Sequence, residues 1–572
     1  MTTATTGSPA APQARLAGSA LSTRILGWSA AAAIVASVLL MIAISAAGPS
    51  IVVPVLPRTW PVPPLWFRLH LSQVTATVAI YVAIVLGAAG VGCGLVAVRR
   101  GARPGPRLLM AGAVSAVATV AVLAVLPPAG STDSLSYATY GRIAVLGHNP
   151  YVMTPVQLRR SDDPVGRQAP RNWQNDPSLY GPVATATEWV AAKLGGTSIA
   201  YIVFWLKLLY AAAFGAIALA LDRLLRGESA ARARAHLLWT VNPLMLWAVM
   251  AGAHVDGLAA ALGLLGVLAA RPTSPDGRLE PARALAAGVL VGAAAGVKAP
   301  LALLWIALAW SARRPASLRG ASDGGMGRRA GPRWRAGDTV KTLAAAAAGA
   351  ALMLVPGYLI AGRPALSDLL SRSSNLVTFD SFWRLFYAPF GYSSEPAGLE
   401  QIAIVACLAM AALLAWRLPP GPRGVPAIRP AMALTLAWLL MWPLQRPWYD
   451  AIAFCLLAVF PATRLDWVML IRAVPAAMAV ATGAGGGGRG HPAWLAQLAS
   501  FIGNTLSPDV RLGAALAVAL LCVTAAWGLS RPPPDVPLSR RGAAPPGVRR
   551  GGGGEERATR EGGASERAPQ AS

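Results

Sequence analysis

Charged residues are scarce in this chain. They make up 13% of its 572 residues, whereas a soluble globular protein carries about 25%. Hydrophobic residues account for 55%, the mean hydropathy is +0.51, and apolar runs recur along nearly the whole length. Many of these runs reach the length of about 20 residues that a helix needs to cross a bilayer. The sequence therefore excludes a soluble protein and predicts an all-α polytopic integral membrane protein.

Acidic residues are scarcer still than basic ones, at 24 against 50, and the formal net charge is +26. The arginines lie in short loops between apolar runs and in the C-terminal tail, as the positive-inside rule describes for cytoplasmic loops. This rule accounts for the charge without a nucleic-acid partner, and none is expected.

Recognisable metal-ligand patterns are also missing from the sequence. It contains no DxD motif and no cluster of histidine and cysteine at ligand spacing. The cysteines lie inside apolar runs without CxxC spacing, so neither a zinc site nor a disulfide framework is indicated. We therefore expect no metal ion and no other cofactor. The four cysteines are Cys93, Cys407, Cys455 and Cys522.

The order of apolar and polar segments predicts three parts. Residues 1–23 are a disordered cytoplasmic N-terminus, 24–530 are a transmembrane domain with about 13 or 14 helices, and 531–572 are a disordered cytoplasmic tail. Two long external loops are predicted, at 127–198 and 362–398, the second containing aromatic residues that cover the site. No internal repeat is visible, which argues against a secondary transporter.

One stretch, residues 131–155 (STDSLSYATYGRIAVLGHNPYVMTP), is dense in polar and aromatic residues. Asp133 follows the third apolar run by a few residues, and acids at a membrane are costly and mark functional sites. The alternative is that Asp133 caps a helix, because Ser131-Thr132-Asp133 is good N-cap chemistry.

The side chains that follow Asp133 suit a sugar phosphate. Tyr137, Tyr140 and Tyr151 offer aromatic rings for sugar faces, Asn149 lies among them, and Arg142 offers a cation for a phosphate. Glycosyl transfer needs a base to take the acceptor's hydroxyl proton and a cation to stabilise the departing phosphate.

These residues resemble a known family. The pattern Asp-x-x-Ser-Tyr…Tyr-Gly-Arg…Gly-x-Asn-Pro-Tyr, followed by Tyr-Gly-Pro at 180–182, is similar to the actinobacterial polyprenol-phosphomannose-dependent α-1,6-mannosyltransferases. The resemblance implies a GT-C fold and transfer of mannose from polyprenyl-phosphate-mannose to the mannan core of lipomannan and lipoarabinomannan. It also implies inversion, Asp133 as the general base, and neither nucleotide sugar nor metal.

The external loops supply further candidates for substrate binding. Trp173 and Tyr180 suit a mannose acceptor, although Pro177 beside them also favours a tight turn. His254 and Asp256, in AGAHVDGL, are candidates to bind acceptor hydroxyls or support Asp133, or else form a hydrogen-bonded helix terminus. The family tends to have His-Asn-Asp here, so Val255 departs from its pattern.

Five more residues with charged or aromatic side chains are candidates. Lys298 in GVKAP either meets the lipid phosphate or reaches to the membrane interface. Arg446 and Tyr449 in QRPWYD bind the phosphate and sugar, or belong to an interfacial aromatic belt. Lys207 and Arg472 lie within spans and are predicted to face a polar cavity.

The sequence thus predicts a plasma-membrane mannosyltransferase with an external active site and both termini in the cytoplasm. Its partners would be polyprenyl-phosphate-mannose, a lipid-linked mannan acceptor and membrane lipids. Two alternatives stay open: an arabinosyltransferase that uses polyprenyl-phosphate-arabinose, and a lipid-linked sugar flippase or transporter.

Overall fold

The computed structural model describes most of the N-terminal 481 residues, and every described residue lies in one compact unit, Met1–Arg531. The described ranges are 10–59, 61–171, 173–272, 279–312, 336–371, 381, 383, 398–422 and 424–481. The predicted tail, and nearly all of the aromatic segment predicted to cover the site, lie outside them.

Helices make up the ordered structure of the described residues, which contain no strand. Helix α1 begins inside the segment 1–23 that was predicted to lack order. In chain order the α-helices are α1 Ala10–Ala47, α2 Gln73–Arg99, α3 Pro106–Val125, α4 Asp133–Val145, α5 Pro155–Arg160, α6 Pro182–Gly195, α7 Ile199–Leu224, α8 Ser229–Leu238, α9 Pro243–Met245, α10 Asp256–Ala269, α11 Pro281–Val297, α12 Leu303–Ala312, α13 Ala336–Ala361, α14 Arg363–Ser371, α15 Leu399–Arg417, α16 Ile428–Met441, α17 Asp450–Val459 and α18 Leu465–Val480.

The prediction of an all-α polytopic membrane protein is confirmed. Within the described residues, six helices are long and apolar enough to cross a membrane. The count of 13 or 14 helices stays a prediction, because further apolar helices are shorter and the apolar run that begins near Leu512 lies outside the described residues. The six are Leu21–Ala47, Gln73–Arg99, Pro106–Val125, Ile199–Leu224, Gly337–Ala361 and Leu399–Arg417.

One further pair of apolar helices is sharply bent at a break. Ser229–Ala251 and Asp256–Ala269 together pass the same test but meet at an angle of 117°. Ala253, in the break, has a φ of 55°, a left-handed conformation that is strained for any residue except glycine. Irregular backbone at membrane depth is tolerated where protein covers it, and Ala253 is fully buried. The break sets His254 and the first residue of α10 at a helix junction.

The loop predicted at 127–198 contains helices of its own, and two of them pack closely. A Cβ on Gly141 of α4 would lie 2.2 Å from the carbonyl oxygen of Glu188 in α6, so this crossing requires glycine. Helix α6 begins at Pro182, where the fixed φ of proline suits the first helical turn. The pair α4–α6 therefore holds Asp133 at one end of a rigid unit.

Candidate active site

Five segments that are distant in sequence meet at one place. They are the start of α4, the turn before α6, the break before α10, the residue after α11, and the segment 445–450 before α17. Each brings one to three polar or aromatic side chains, and we call the group the site. Its members are Asp133, Tyr137, Tyr180, His254, Asp256, Lys298, Arg446, Trp448 and Tyr449.

Asp133 is the first residue of α4, and Thr132 occupies the N-cap position. The Asp133 backbone N–H donates to Ser131 Oγ at 3.1 Å. Burial raises the pKa of Asp133 to about 6, although the nearby Arg446 guanidinium and the Ser131 hydroxyl oppose the rise. A carboxyl group with this pKa is largely ionised at pH 7 and is suited to accept a proton.

His254 faces the Asp133 carboxylate, with 3.7 Å between Nδ1 and Oδ2. No described residue lies within hydrogen-bonding distance of that buried nitrogen. The imidazole stacks on the Trp448 indole with ring centroids 3.6 Å apart and planes 13° apart. The tryptophan therefore fixes the plane of the ring that faces Asp133.

Tyr137 and Tyr180 form an aromatic pair next to Asp133. Their ring centroids are 5.0 Å apart at an interplanar angle of 85°, the edge-to-face geometry that aromatic quadrupoles favour. The Tyr180 hydroxyl donates to the Tyr137 hydroxyl at 3.2 Å. Burial raises the pKa of both phenols well above the usual value, and the Asp133 charge adds to the rise. Both hydroxyls therefore stay protonated and able to donate.

Lys298 supplies positive charge on another side of the site. Its ammonium donates to Asp256 Oδ1 and lies 3.3 Å from the centroid of the Tyr449 ring. Arg446 is near enough to act electrostatically on both Asp133 and Lys298. Lys298 therefore pairs with Asp256, and Arg446 is a second cation close to Asp133.

Arg472 holds the segment that carries Arg446, Trp448 and Tyr449. Its Nε donates to Asp450 Oδ1 at 3.1 Å and its Nη2 donates to Gln445 Oε1 at 3.0 Å. These acceptors stand at the two ends of the segment 445–450. One guanidinium thus fixes both ends of a turn whose middle lines the site.

Five residues predicted to bind substrate have contacts within the loop 127–198 or with α13. The Tyr140 hydroxyl donates to the Asp176 carbonyl at 3.0 Å, and Trp173 lies in a turn with a φ of 62°. Arg142 forms an ion pair with Asp163 at 2.8 Å.

The other two of these five fasten the loop to its surroundings. Asn149 Nδ2 donates to the Ala361 carbonyl at 2.8 Å, and its side-chain oxygen accepts from the Tyr151 N–H. The Tyr151 hydroxyl lies 2.8 Å from the Thr185 hydroxyl. Four of the five side chains, all except that of Trp173, are therefore placed to hold the loop together and to other helices. The role of all five with substrate stays a prediction.

Trp448 and Arg472 were not singled out as site residues by the sequence. Trp448 was interpreted only as part of an interfacial aromatic belt, and Arg472 as a charge within a span that faces a polar cavity. The spacing between Gln445 and Asp450, each with an acceptor oxygen, is the signal that could have indicated a clamp. Within the described residues, no three histidine, cysteine, aspartate or glutamate side chains are placed so that they could hold a metal ion.

The fold and the site define a class, an all-helical polytopic membrane protein that gathers a carboxylate, cations and tyrosines where its helices end. Residues 30–314 match the family model for alpha-(1->6)-mannopyranosyltransferase, N-terminal domain. The chain belongs to this family, and the resemblance found in the sequence is confirmed. The matched range includes Asp133 and Lys298 but ends before Arg446.

Individual proteins similar to this chain carry the name of the same family. A probable alpha-(1->6)-mannopyranosyltransferase of Mycolicibacterium smegmatis is 30% identical over 211 residues, 33% of this chain and 38% of that protein. Alpha-(1->6)-mannopyranosyltransferase B of Corynebacterium glutamicum is 25% identical over 150 residues, 26% of this chain and 25% of that protein. The chain thus spans well under half the length of the relatives it matches. No solved structure gives a significant match.

Proposed function

We propose that this protein is a mannosyltransferase that uses polyprenyl-phosphate-mannose to extend an α-1,6-mannan, with Asp133 as the general base. The observation that carries the proposal is the position of Asp133, which lies beside His254, the tyrosine pair and two cations. The family match and the printed names of the relatives support mannose as the sugar.

The proposed reaction is a single displacement. An acceptor hydroxyl oxygen attacks the anomeric carbon, the bond from that carbon to the phosphate oxygen breaks, and the phosphate leaves with its negative charge. Asp133 takes the hydroxyl proton. Attack opposite to the leaving phosphate inverts the anomeric centre, so a β-linked donor gives an α-linked product.

The charges of the site suit these steps. Lys298 and Arg446 supply cations for the leaving phosphate, which needs preorganised positive charge as the bond breaks. Tyr137 and Tyr180 offer protonated hydroxyls and an aromatic surface to a sugar. Tyr449 keeps the Lys298 ammonium in place through a cation–π contact.

The topology follows from the donor. A lipid-linked sugar is available at the outer face of the plasma membrane, so we place the site outside. The arginine-rich turn at 99–107 then lies in the cytoplasm, as do both termini.

The test compares Asp133→Asn with Asp162→Asn in purified protein given labelled polyprenyl-phosphate-mannose and a short α-1,6-mannoside. Asp162 is a matched control, because it lies in the same loop with 81% of its side chain exposed. General-base catalysis contributes about 10²–10⁴-fold, so Asp133→Asn should lose that factor and Asp162→Asn should not. Transfer by Asp133→Asn at a near-wild-type rate would exclude the base assignment. Preference for polyprenyl-phosphate-arabinose in a competition assay would exclude mannose.

A further inference from the structure

The linker between α3 and α4, residues 126–132, delivers Asp133 to the site. It has little regular structure, yet its backbone is fixed at several points. The Ala129 N–H donates to the Ala251 carbonyl at 2.8 Å, and the Gly130 N–H donates to the Val52 carbonyl at 2.7 Å. These bonds anchor the middle of the linker.

Gly130 also packs directly against an indole. Its φ is +87°, and a Cβ there would lie 2.3 Å from Cζ2 of Trp247. The linker therefore has no space to move toward Trp247 without displacing that ring.

The start of the linker is held by a lysine from another helix. Lys207 of α7 is 1% exposed, and its ammonium donates to the Leu126 carbonyl at 2.7 Å and to the Pro127 carbonyl at 3.4 Å. Leu126 is the C-cap of α3, where the helix dipole favours a cation and carbonyls lack helical partners. Burying an ammonium is unfavourable unless hydrogen bonds compensate for its lost hydration, and the two carbonyls provide these bonds.

We propose that Lys207 is a positioning residue for catalysis, which sets the location of Asp133 by fixing the carbonyls at the start of its linker. Pro127 and Asp133 are six positions apart. The hydrogen bonds at Ala129 and Gly130 restrict the movement of the backbone between Pro127 and Asp133. Lys207 does not touch the reacting atoms in this arrangement; it acts through the backbone. The inference rests on the proposed role of Asp133 as the base.

The experiment measures kcat and KM for the lipid donor in Lys207→Met, which keeps the length of the side chain and removes its donors. A displacement of about 1 Å at a reacting group can cost about 10²-fold. We expect kcat to fall about 10- to 100-fold per folded molecule, while KM stays within about twofold. Lys193→Met, which alters an exposed lysine of α6, should leave both unchanged.

A second arm separates positioning from general destabilisation. Added to Asp133→Asn and assayed with excess enzyme, Lys207→Met should cause no further loss, because the base it positions is already gone. An unchanged kcat in Lys207→Met, or an equal further loss in the double variant, would overturn the proposal. If Lys207→Met does not fold, Lys207→Gln replaces it. Its side chain is one bond shorter, so its N–H groups are displaced from the position of the ammonium; kcat should again fall, and the fall should again be absent when Asp133→Asn is present.

The two proposals fail in different ways. If Asp133→Asn transfers mannose normally, the assignment of the base is wrong whatever Lys207 does. If Asp133→Asn is inactive but Lys207→Met keeps the wild-type kcat, only the positioning role is wrong.

Discussion

Removing the charge of Arg446 should move the pH dependence of transfer to higher pH. The Asp133 carboxyl has its pKa raised to about 6 by burial, and Arg446 is the largest influence that lowers it. An acid with this pKa is ionised to about 90% at pH 7, 50% at pH 6 and 10% at pH 5. Because only the ionised form accepts a proton, kcat/KM should fall as the pH falls through 6.

Arg446→Gln removes the positive charge that lowers the pKa of Asp133, so this pKa rises. The acid limb of the pH–rate profile therefore moves to higher pH. Arg446→Lys keeps the charge and should return the limb toward its wild-type position. The assay is the initial rate of mannose transfer from pH 5 to 8 at low donor concentration, which reports the free enzyme. A phosphodiester donor does not titrate in this range, so the limb belongs to the protein.

Other titratable groups face Asp133 and must be separated from it. They are His254 at 3.7 Å, together with Asp256 and Lys298. His254→Gln removes the imidazole and should leave an acid limb, since Asp133 is the titrating base. An acid limb with its midpoint near pH 4, or an acid limb that Arg446→Gln does not shift, would refute the assignment of this limb to Asp133.

Two further variants test how the site is held. Trp448→Ala removes the ring that stacks on His254, so kcat should fall about tenfold while Trp448→Phe keeps most of it; equal rates in the two variants would contradict the role of the stack. Arg142→Ala leaves the largely buried Asp163 without its ion-pair partner and should lower the free energy of unfolding by about 1–3 kcal/mol, measured by thermal unfolding in detergent. If Arg142→Ala instead raises the donor KM with an unchanged unfolding midpoint, Arg142 binds the phosphate as the sequence predicts.

The sequence predicts the spans well because a bilayer imposes a length on each apolar run. The apolar runs of the sequence that end at Val98 and Leu221 form the helices Gln73–Arg99 and Ile199–Leu224. The boundaries agree because the charges of Arg99 and Arg223 end the apolar windows. The break at 252–255 was expected only as a junction, since its 117° angle depends on how neighbouring helices pack.

The sequence identified candidate site residues where charged residues are rare. Asp133, Asp256 and Lys298 stand out because charges are rare next to apolar runs, and the structure brings all three together. Arg142 is equally conspicuous in the sequence, but its partner Asp163 lies 21 positions away in a polar loop. Which of several nearby acids pairs with an arginine depends on the path of the backbone, and that path is not encoded in local spacing.

The structure gives the contacts of the two cations that were predicted within spans, and the sequence alone does not. Lys207 and Arg472 were predicted to face a polar cavity. Instead, Lys207 donates to two carbonyls at the start of the linker that leads to Asp133, and Arg472 donates to oxygens at both ends of the segment 445–450. Apolar packing between helices is not directional, so it cannot by itself set the orientation of an irregular segment. A buried cation with two defined acceptors can, because its hydrogen bonds are strong and directional where the dielectric is low. The charges that the sequence marks as costly within the membrane are therefore best explained by the position they give to Asp133 and to Trp448.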